Sequence, residues 1–352
     1  MADPMPVEMM VLHDKGQFCG TGPDRIQRHA EPFGCGITCP HHLGAAFGAV
    51  LWCHVHVSPL VVTLHKTDQT VNSVETCHET GHAMPMNSHK RDAVMLRPAS
   101  YAIGKWVKPG VDARPIDGPV SGTRIAEAGG APLDVQGMLD WARGTGGPAL
   151  REMGFHDRAR MIKALALYIK ERKDELYALN TMTGATRADG AIDIDGGIGT
   201  MLVIAGKGRR EMPDGPVYVD GGGEALSRGG SFVGQHIAVP LQGVAVHINA
   251  FNFPVWGMLE KLAPTLLAGM PAIVKPATQT CYLTEACFRM IVESGLVPPG
   301  AVQLVVGGVG DMLDRLGAQD VVSFTGSAQT ALKLRATPAL MHNSVRFHAE
   351  QD

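Results

Sequence analysis

The chain lacks a dominant charge, a long apolar run and a paired C-x2-C motif. Its 352 residues hold 31 Lys and Arg against 34 Asp and Glu, a net charge of −3. That leaves no one-signed field to grip nucleic acid or a charged membrane surface. Charged residues are only 18% and apolar residues 45%, the balance of an α/β protein with a sizeable core. The apolar stretch nearest to membrane length, 43–64, is broken by His54, His56, Ser58 and Pro59. No basic segment opens the chain, so neither a span nor a secretory signal is expected. An odd total of seven Cys argues against a disulfide scaffold and for a cytoplasmic protein. A G-x-G-x-x-G fingerprint is also missing, because Gly307, Gly308 and Gly310 lack its spacing.

What is present is unevenly spread. Residues 1–94 hold Cys19, Cys35, Cys39, Cys53 and Cys77 and ten of the fifteen His. No sustained period of 3.6 or 2 runs through them. Cys53-His54-x-His56 and Cys77-His78-x3-His82 are zinc-type ligands, but no second pair stands at finger spacing, so no metal site is expected. This irregular segment reads as a disordered tail or as sequence upstream of the true start. Residues 95–352 then form the ordered part, opening with "MLRPASYAIGKWVKPG".

In "FHDRARMIKALALYIKERKDELYAL", Ile162, Leu165, Ala166 and Ile169 make one helical stripe. "MTGATRADGAIDIDGGIGT" follows, rich in turn formers at its ends. A Gly-rich connector, "DGGGEALSRGG", leads to an expected extended pair, "FVGQHIAVP" and "GVAVHINAF". Strict alternation then begins. "GVAVHI", "PAIVK", "AVQLVVGG" and "DVVSFTGS" read as strands. "PVWGMLEKLAPTLLAG", "TEACFRMIVESG", "DMLDRLG" and "AQTALKLR" read as the helices between and after them. Pro264 should kink or fray the first of these helices, and Gly269 should stop it. Such alternation predicts an α/β fold: a Rossmann-like parallel sheet with helices on both faces, with ligands at the carboxyl ends of its strands.

Those ends carry the polar candidates. Asn252 stands between Phe251 and Phe253, just before Pro254, where it caps the next helix or faces a ligand. Lys275-Pro276 ends the second strand, and its ammonium either snorkels to water or meets a cofactor ribose. Gly326-Ser327 precedes a helix and is either an N-cap or a phosphate turn. Cys287 lies on an apolar stripe and reads as core; Cys281 stands near a helix start, which favours the thiolate, but reads as core or neutral surface rather than nucleophile.

"FNFP", "VKPA", "GLVPPGAVQLVVG" and "SFTGS", in this order and spacing, resemble the NAD(P)-dependent aldehyde dehydrogenase superfamily, and "SYAIGKW" is similar to its N-terminal strand. Longer stretches, "TGATRADGAIDIDGGIGT" and "HINAFNFPVWGMLEKLAPTLLAGMPAIVKPAT", resemble the aldehyde dehydrogenase part of the phenylacetate-degradation ring-opening enzymes. They also resemble the dehydroadipyl-CoA semialdehyde dehydrogenases of benzoyl-CoA degradation. The resemblance implies oxidation of an aldehyde to a carboxylate through a Cys thiohemiacetal, with the substrate a semialdehyde linked to CoA. Asn252 then matches the oxyanion donor, and Glu350 in "FHAEQD" the general base. Lys275 and Pro276 match the ribose-binding strand end, and Gly326 and Ser327 the cofactor-phosphate turn. Thr278 stands where NAD-preferring members carry Glu, which implies NADP, with NAD as the second choice. Ala331 replaces a family Gly, and its methyl is expected to crowd the helix near the pyrophosphate.

The family nucleophile lies beyond the matching Glu, so the resemblance implies a C-terminally truncated chain that is inactive alone and a homo-oligomeric parent enzyme. The alternative is an inactive nucleotide-binding or subunit-partner protein that lacks the nucleophile.

Overall fold

The computed structural model describes residues 95–351. The Cys/His segment 1–94, and the division placed after it, lie outside the described residues.

The chain enters through a hairpin, β1 (Ser100–Ala102) and β2 (Lys105–Val107), turned by Ile103 and Gly104 at φ 49° and 72°. A second hairpin, β3 (Arg114–Asp117) and β4 (Arg124–Ala128), leads to α1 (Val135–Trp141), a π-helical stretch at Ala142–Gly146, and α2 (Gly147–Glu152). The long helix α3 (Phe155–Asn180) follows, and Ile162, Leu165, Ala166 and Ile169 are fully buried in it as their period predicts.

Next comes α4 (Arg187–Glu211), a helix that no apolar period announces. Its N-terminus is a capping box: Thr186 accepts from the Asp189 N–H, and the Asp189 carboxylate accepts from the Thr186 N–H. Glycine inside a helix costs about 1 kcal/mol against alanine. Here close packing offsets that cost. A Cβ on Gly197 would stand 2.9 Å from the Trp256 backbone, and one on Gly208 would stand 2.6 Å from Leu267. The glycines let α4 lie against its neighbours.

The Gly-rich connector is itself a strand, β5 (Tyr218–Ala225), paired antiparallel with β6 (Val233–Ala238). This corrects the expected pairing of "FVGQHIAVP" with "GVAVHINAF". The hairpin closes on itself, and the following strand joins a different sheet.

That sheet is built from β7 (Ala245–Ile248), α5 (Trp256–Leu267), β8 (Ala272–Lys275), α6 (Cys281–Glu293), β9 (Val302–Leu304), β10 (Val321–Gly326), α7 (Ala328–Arg335), α8 (Pro338–His342) and β11 (Arg346–Gln351). The expected short helix "DMLDRLG" is a 3-10 turn at Met312–Arg315. Helix α5 continues through Pro264 to Leu267, and Gly269 ends it at φ 80°. The seven-stranded order is β11-β10-β7-β8-β9-β1-β2. From β11 to β9 every pair is parallel, and β1 adds antiparallel to β9. One core packs the sheet against α3, α4, α5 and α6; the other lies on the opposite face with α1, α7 and α8. The chain runs β7, β8, β9 in one direction and then returns to place β10 on the other side of β7. The strand order therefore reverses between β7 and β10, and it is outside the carboxyl ends of strands at such a reversal that α/β sheets hold their ligands.

Candidate active site

Every polar residue singled out in the sequence falls on that edge of the sheet. Asn252 follows β7, Lys275 ends β8, Gly326 ends β10 with Ser327 directly after it, and Glu350 lies in β11. The strands that carry them are neighbours in the order β11-β10-β7-β8.

Asn252 stands exposed in an irregular loop. It does not cap α5. The carboxylate of Asp193, on α4, takes that role: Oδ1 accepts the Trp256 N–H at 2.7 Å and the Val255 N–H at 3.1 Å. Two more side chains hold the loop. The Thr280 hydroxyl donates to the Phe251 carbonyl, and the Thr284 hydroxyl donates to the Pro254 carbonyl, each at 3.0 Å. The Asn249 N–H also donates to the Lys275 carbonyl at 3.0 Å, which ties the ends of β7 and β8.

Asp193 is 2% exposed. Burial pushes its carboxyl up to about 6, and the two backbone donors at Trp256 and Val255 oppose that rise. The folded protein therefore binds more protons than the unfolded chain between about pH 4 and about pH 6. The stability from this group is complete below the unfolded pKa of 3.8 and is lost as pH rises through about 6. An asparagine at this position would keep an acceptor oxygen but not titrate. Asp193→Asn is thus expected to flatten the stability profile over that window by on the order of 2–3 kcal/mol. Calorimetric Tm against pH reads this; superimposable profiles would exclude Asp193 as the titrating group.

Lys275 is half-buried, and burial lowers its ammonium below the usual range. Its only electrostatic neighbour of note is the Cys281 thiol, so no carboxylate pairs with it among the described residues. Pro276 is buried behind it, and Thr278 opens a 3-10 turn, Thr278–Thr280, that leads into α6. Ser327 is the N-cap of α7 and accepts from the Thr330 N–H at 3.3 Å. A Cβ on Gly326 would stand 2.7 Å from the Phe324 ring, so packing also favours Gly there. The Ala331 methyl is 2% exposed and packs into the core beneath α7.

Glu350 pairs in register with Thr325 and accepts from its hydroxyl at 3.2 Å. Beneath them His247, Ser323 and His348 align across β7, β10 and β11. His247 Nε2 lies 3.0 Å from the Thr265 hydroxyl of α5. Burial, and then the Lys261 charge, hold His247 down to about 3, so this imidazole stays neutral. Lys261 pairs with Glu260 at 3.0 Å. Burial raises the Glu260 carboxyl, Lys261 opposes, and Glu350 adds to the rise.

Both cysteines of the described residues are core. Cys281 is pushed up to about 12 by burial, and burial also raises Cys287. Neither is a nucleophile.

Sequence reasoning missed Asp193, Thr280, Thr284, Glu260 and Lys261. The last two carried a signal, since they are two adjacent charges in an otherwise largely apolar helix. The others had none, because their partners lie 62, 29 and 30 residues away.

With this geometry in place, the sequence model described as "Aldehyde dehydrogenase family" matches residues 106–351. The chain belongs to the aldehyde dehydrogenase family. It is 40% identical over 258 residues to 3,4-dehydroadipyl-CoA semialdehyde dehydrogenase of Aromatoleum evansii, covering 73% of this chain and 50% of that protein. It is 29% identical over 241 residues to N-succinylglutamate 5-semialdehyde dehydrogenase of Escherichia coli O127:H6, covering 66% and 45%. The chain thus spans about half the length of the curated relatives it matches. Among solved structures it resembles an NADP-dependent enzyme of E. coli, with TM-score 0.61, 23% identity, and 74% and 53% of the two chains covered. It also resembles betaine aldehyde dehydrogenase of Staphylococcus aureus in complex with NAD+, with TM-score 0.57, 24% identity, and 73% and 50% covered. These likenesses establish the fold. Among the described residues, no helix of this family member is long and apolar enough to cross a membrane.

Proposed function

We propose that residues 95–352 are the cofactor-binding part of an aldehyde dehydrogenase that uses NADP and oxidises a CoA-linked semialdehyde. The observation that carries the reading is the Lys275 cation at the carboxyl end of β8, unpaired among the described residues and followed by Thr278 rather than a carboxylate. Lys275 offers its ammonium to the ribose and its phosphate. The free N–H groups at the start of α7, beside Ser327, suit the pyrophosphate. When bound, the nicotinamide supplies the hydride acceptor. Asn252 donates its amide to the oxygen of the tetrahedral adduct, and Glu350 takes a proton from the attacking water. The attacking thiolate belongs outside the described residues, since Cys281 and Cys287 are buried. The name of the A. evansii relative supports the CoA-linked substrate. We place this family member in the cytoplasm, in a homo-oligomer.

The test is cofactor choice. The chain is expected to bind NADP more tightly than NAD. Thr278→Glu is expected to weaken NADP binding by about tenfold or more, because a carboxylate there repels a 2′-phosphate; each tenfold is about 1.4 kcal/mol. NAD binding should change little. Calorimetric titration with both dinucleotides decides it, and a variant that binds NADP as wild type does would sink the assignment of Thr278.

A further inference from the structure

Asn252 lies in a stretch, 249–255, with no regular structure of its own. A donor on such a loop aims at a fixed point only if neighbouring groups hold its backbone. Here the backbone is held on both sides. Thr280 grips the carbonyl one residue before Asn252, and Thr284 grips the carbonyl two residues after it, each at 3.0 Å. Thr280 is the N-cap residue of α6, and Thr284 lies four residues on, in its first turn. A helical Thr commonly turns its hydroxyl to its own helix, four residues back, and an N-cap Thr commonly accepts from its own helix start. Thr284 and Thr280 reach across to the loop instead. Asp193 fixes the two N–H groups that follow, at Val255 and Trp256. All three side chains are buried, at 6%, 0% and 2% exposure for Thr280, Thr284 and Asp193. Asn252 itself is exposed in the middle. Its anchors are sealed from water while the donor is left free to meet a ligand.

We propose that Thr280, Thr284 and Asp193 form a three-point clamp that positions the Asn252 amide for the oxyanion of a carbonyl adduct. They are positioning residues, and the proposal rests on the reading of Asn252 as oxyanion donor. The clamp also joins two parts of the site. Thr280 closes the same short turn that Thr278 opens, so the segment beside the cofactor ribose and the segment that carries the donor share one anchor.

Valine keeps the shape of threonine and loses only the hydroxyl. Backbone 15N relaxation of the 352-residue chain at Asn252 reads the clamp directly. The wild type is expected near the rigid value of about 0.85, and Thr280→Val/Thr284→Val below about 0.6. Thr280→Ser/Thr284→Ser keeps the hydroxyls and should return Asn252 to the rigid value, which a purely steric role for the side chains would not do. NADP titration runs alongside. A valine variant as rigid at Asn252 as wild type overturns the clamp, whatever the cofactor does. A wild-type chain that is rigid there and binds no NADP overturns the functional reading but leaves the geometry standing. Should the double valine variant not fold, the single Thr280→Val and Thr284→Val forms carry the same comparison. In the enzyme that turns over aldehyde, Thr284→Val, which leaves the Thr278–Thr280 turn untouched, should lower kcat by roughly ten- to a hundredfold with KM for NADP unchanged.

Discussion

On the role proposed for Asn252, Asn252→Ala is expected to lower aldehyde turnover by about 10²- to 10³-fold, with NADP affinity within about twofold of wild type. The two readouts separate for a structural reason. Asn252 follows β7, whereas the groups proposed to meet the cofactor are at the ends of β8 and β10. The exposed amide does not cap α5, because Asp193 already holds that helix start. Alanine therefore removes a donor without unsealing the helix. Charge grows on the carbonyl oxygen only as the adduct forms, so the loss falls on kcat rather than on binding. Steady-state kinetics with both substrates varied, together with NADP titration, measures both quantities. A variant with wild-type kcat would remove Asn252 from the chemistry. A variant that loses NADP affinity instead would make it a cofactor residue.

Gly146→Ala is expected to destabilise the fold by about 3 kcal/mol, or roughly 6–12 °C in Tm for a domain of this size. Gly146 has an ordinary helical φ of −66°, so its need is space and not backbone freedom. A Cβ there would stand 2.1 Å from the Gly300 carbonyl oxygen and 2.2 Å from the carbonyl carbon. Both obstacles are backbone, so no rotamer change relieves them. Gly300 faces back with φ 80°, and its own Cβ would stand 2.7 Å from the Gly146 nitrogen. The contact seats the helical segment before α2 on the turn that feeds β9, at the "VPPGAVQL" stretch. Gly144→Ala is the control, because a Cβ at that position meets nothing within 4 Å. Thermal melts of both variants test the pair; equal Tm values would mean that the two segments separate at little cost.

The helices α3, α5 and α6 and the strands β7, β8 and β10 were legible because their signals are local. A stripe at i, i+3, i+4 and i+7, or a short apolar run bounded by turn residues, needs no distant partner to be read. Helix α4 was not legible. Its glycines look like turn formers in isolation and become helix formers only when Trp256 and Leu267 lie against them. The β5–β6 hairpin was misread for a related reason: extended segments are visible locally, but pairing is a choice among all the strands of the chain.

The site divides in the same way. By itself the sequence determined the chemistry at the strand ends: an amide at Asn252, an ammonium at Lys275, a small turn at Gly326-Ser327, a hydroxyl at Thr278 and a carboxylate at Glu350. It also determined, through their motifs, the family to which the chain belongs. Only the tertiary structure decided that β10 returns beside β7 and so sets the point where the strand order reverses. It alone placed Glu350 against Thr325 and decided that Cys281 is core rather than surface. It also gave the α5 cap to Asp193, from 62 residues upstream. Residue type is written at each position, but desolvation and hydrogen-bond partners are properties of the space around it. That space is made by segments far apart in the chain, and folding alone brings them together.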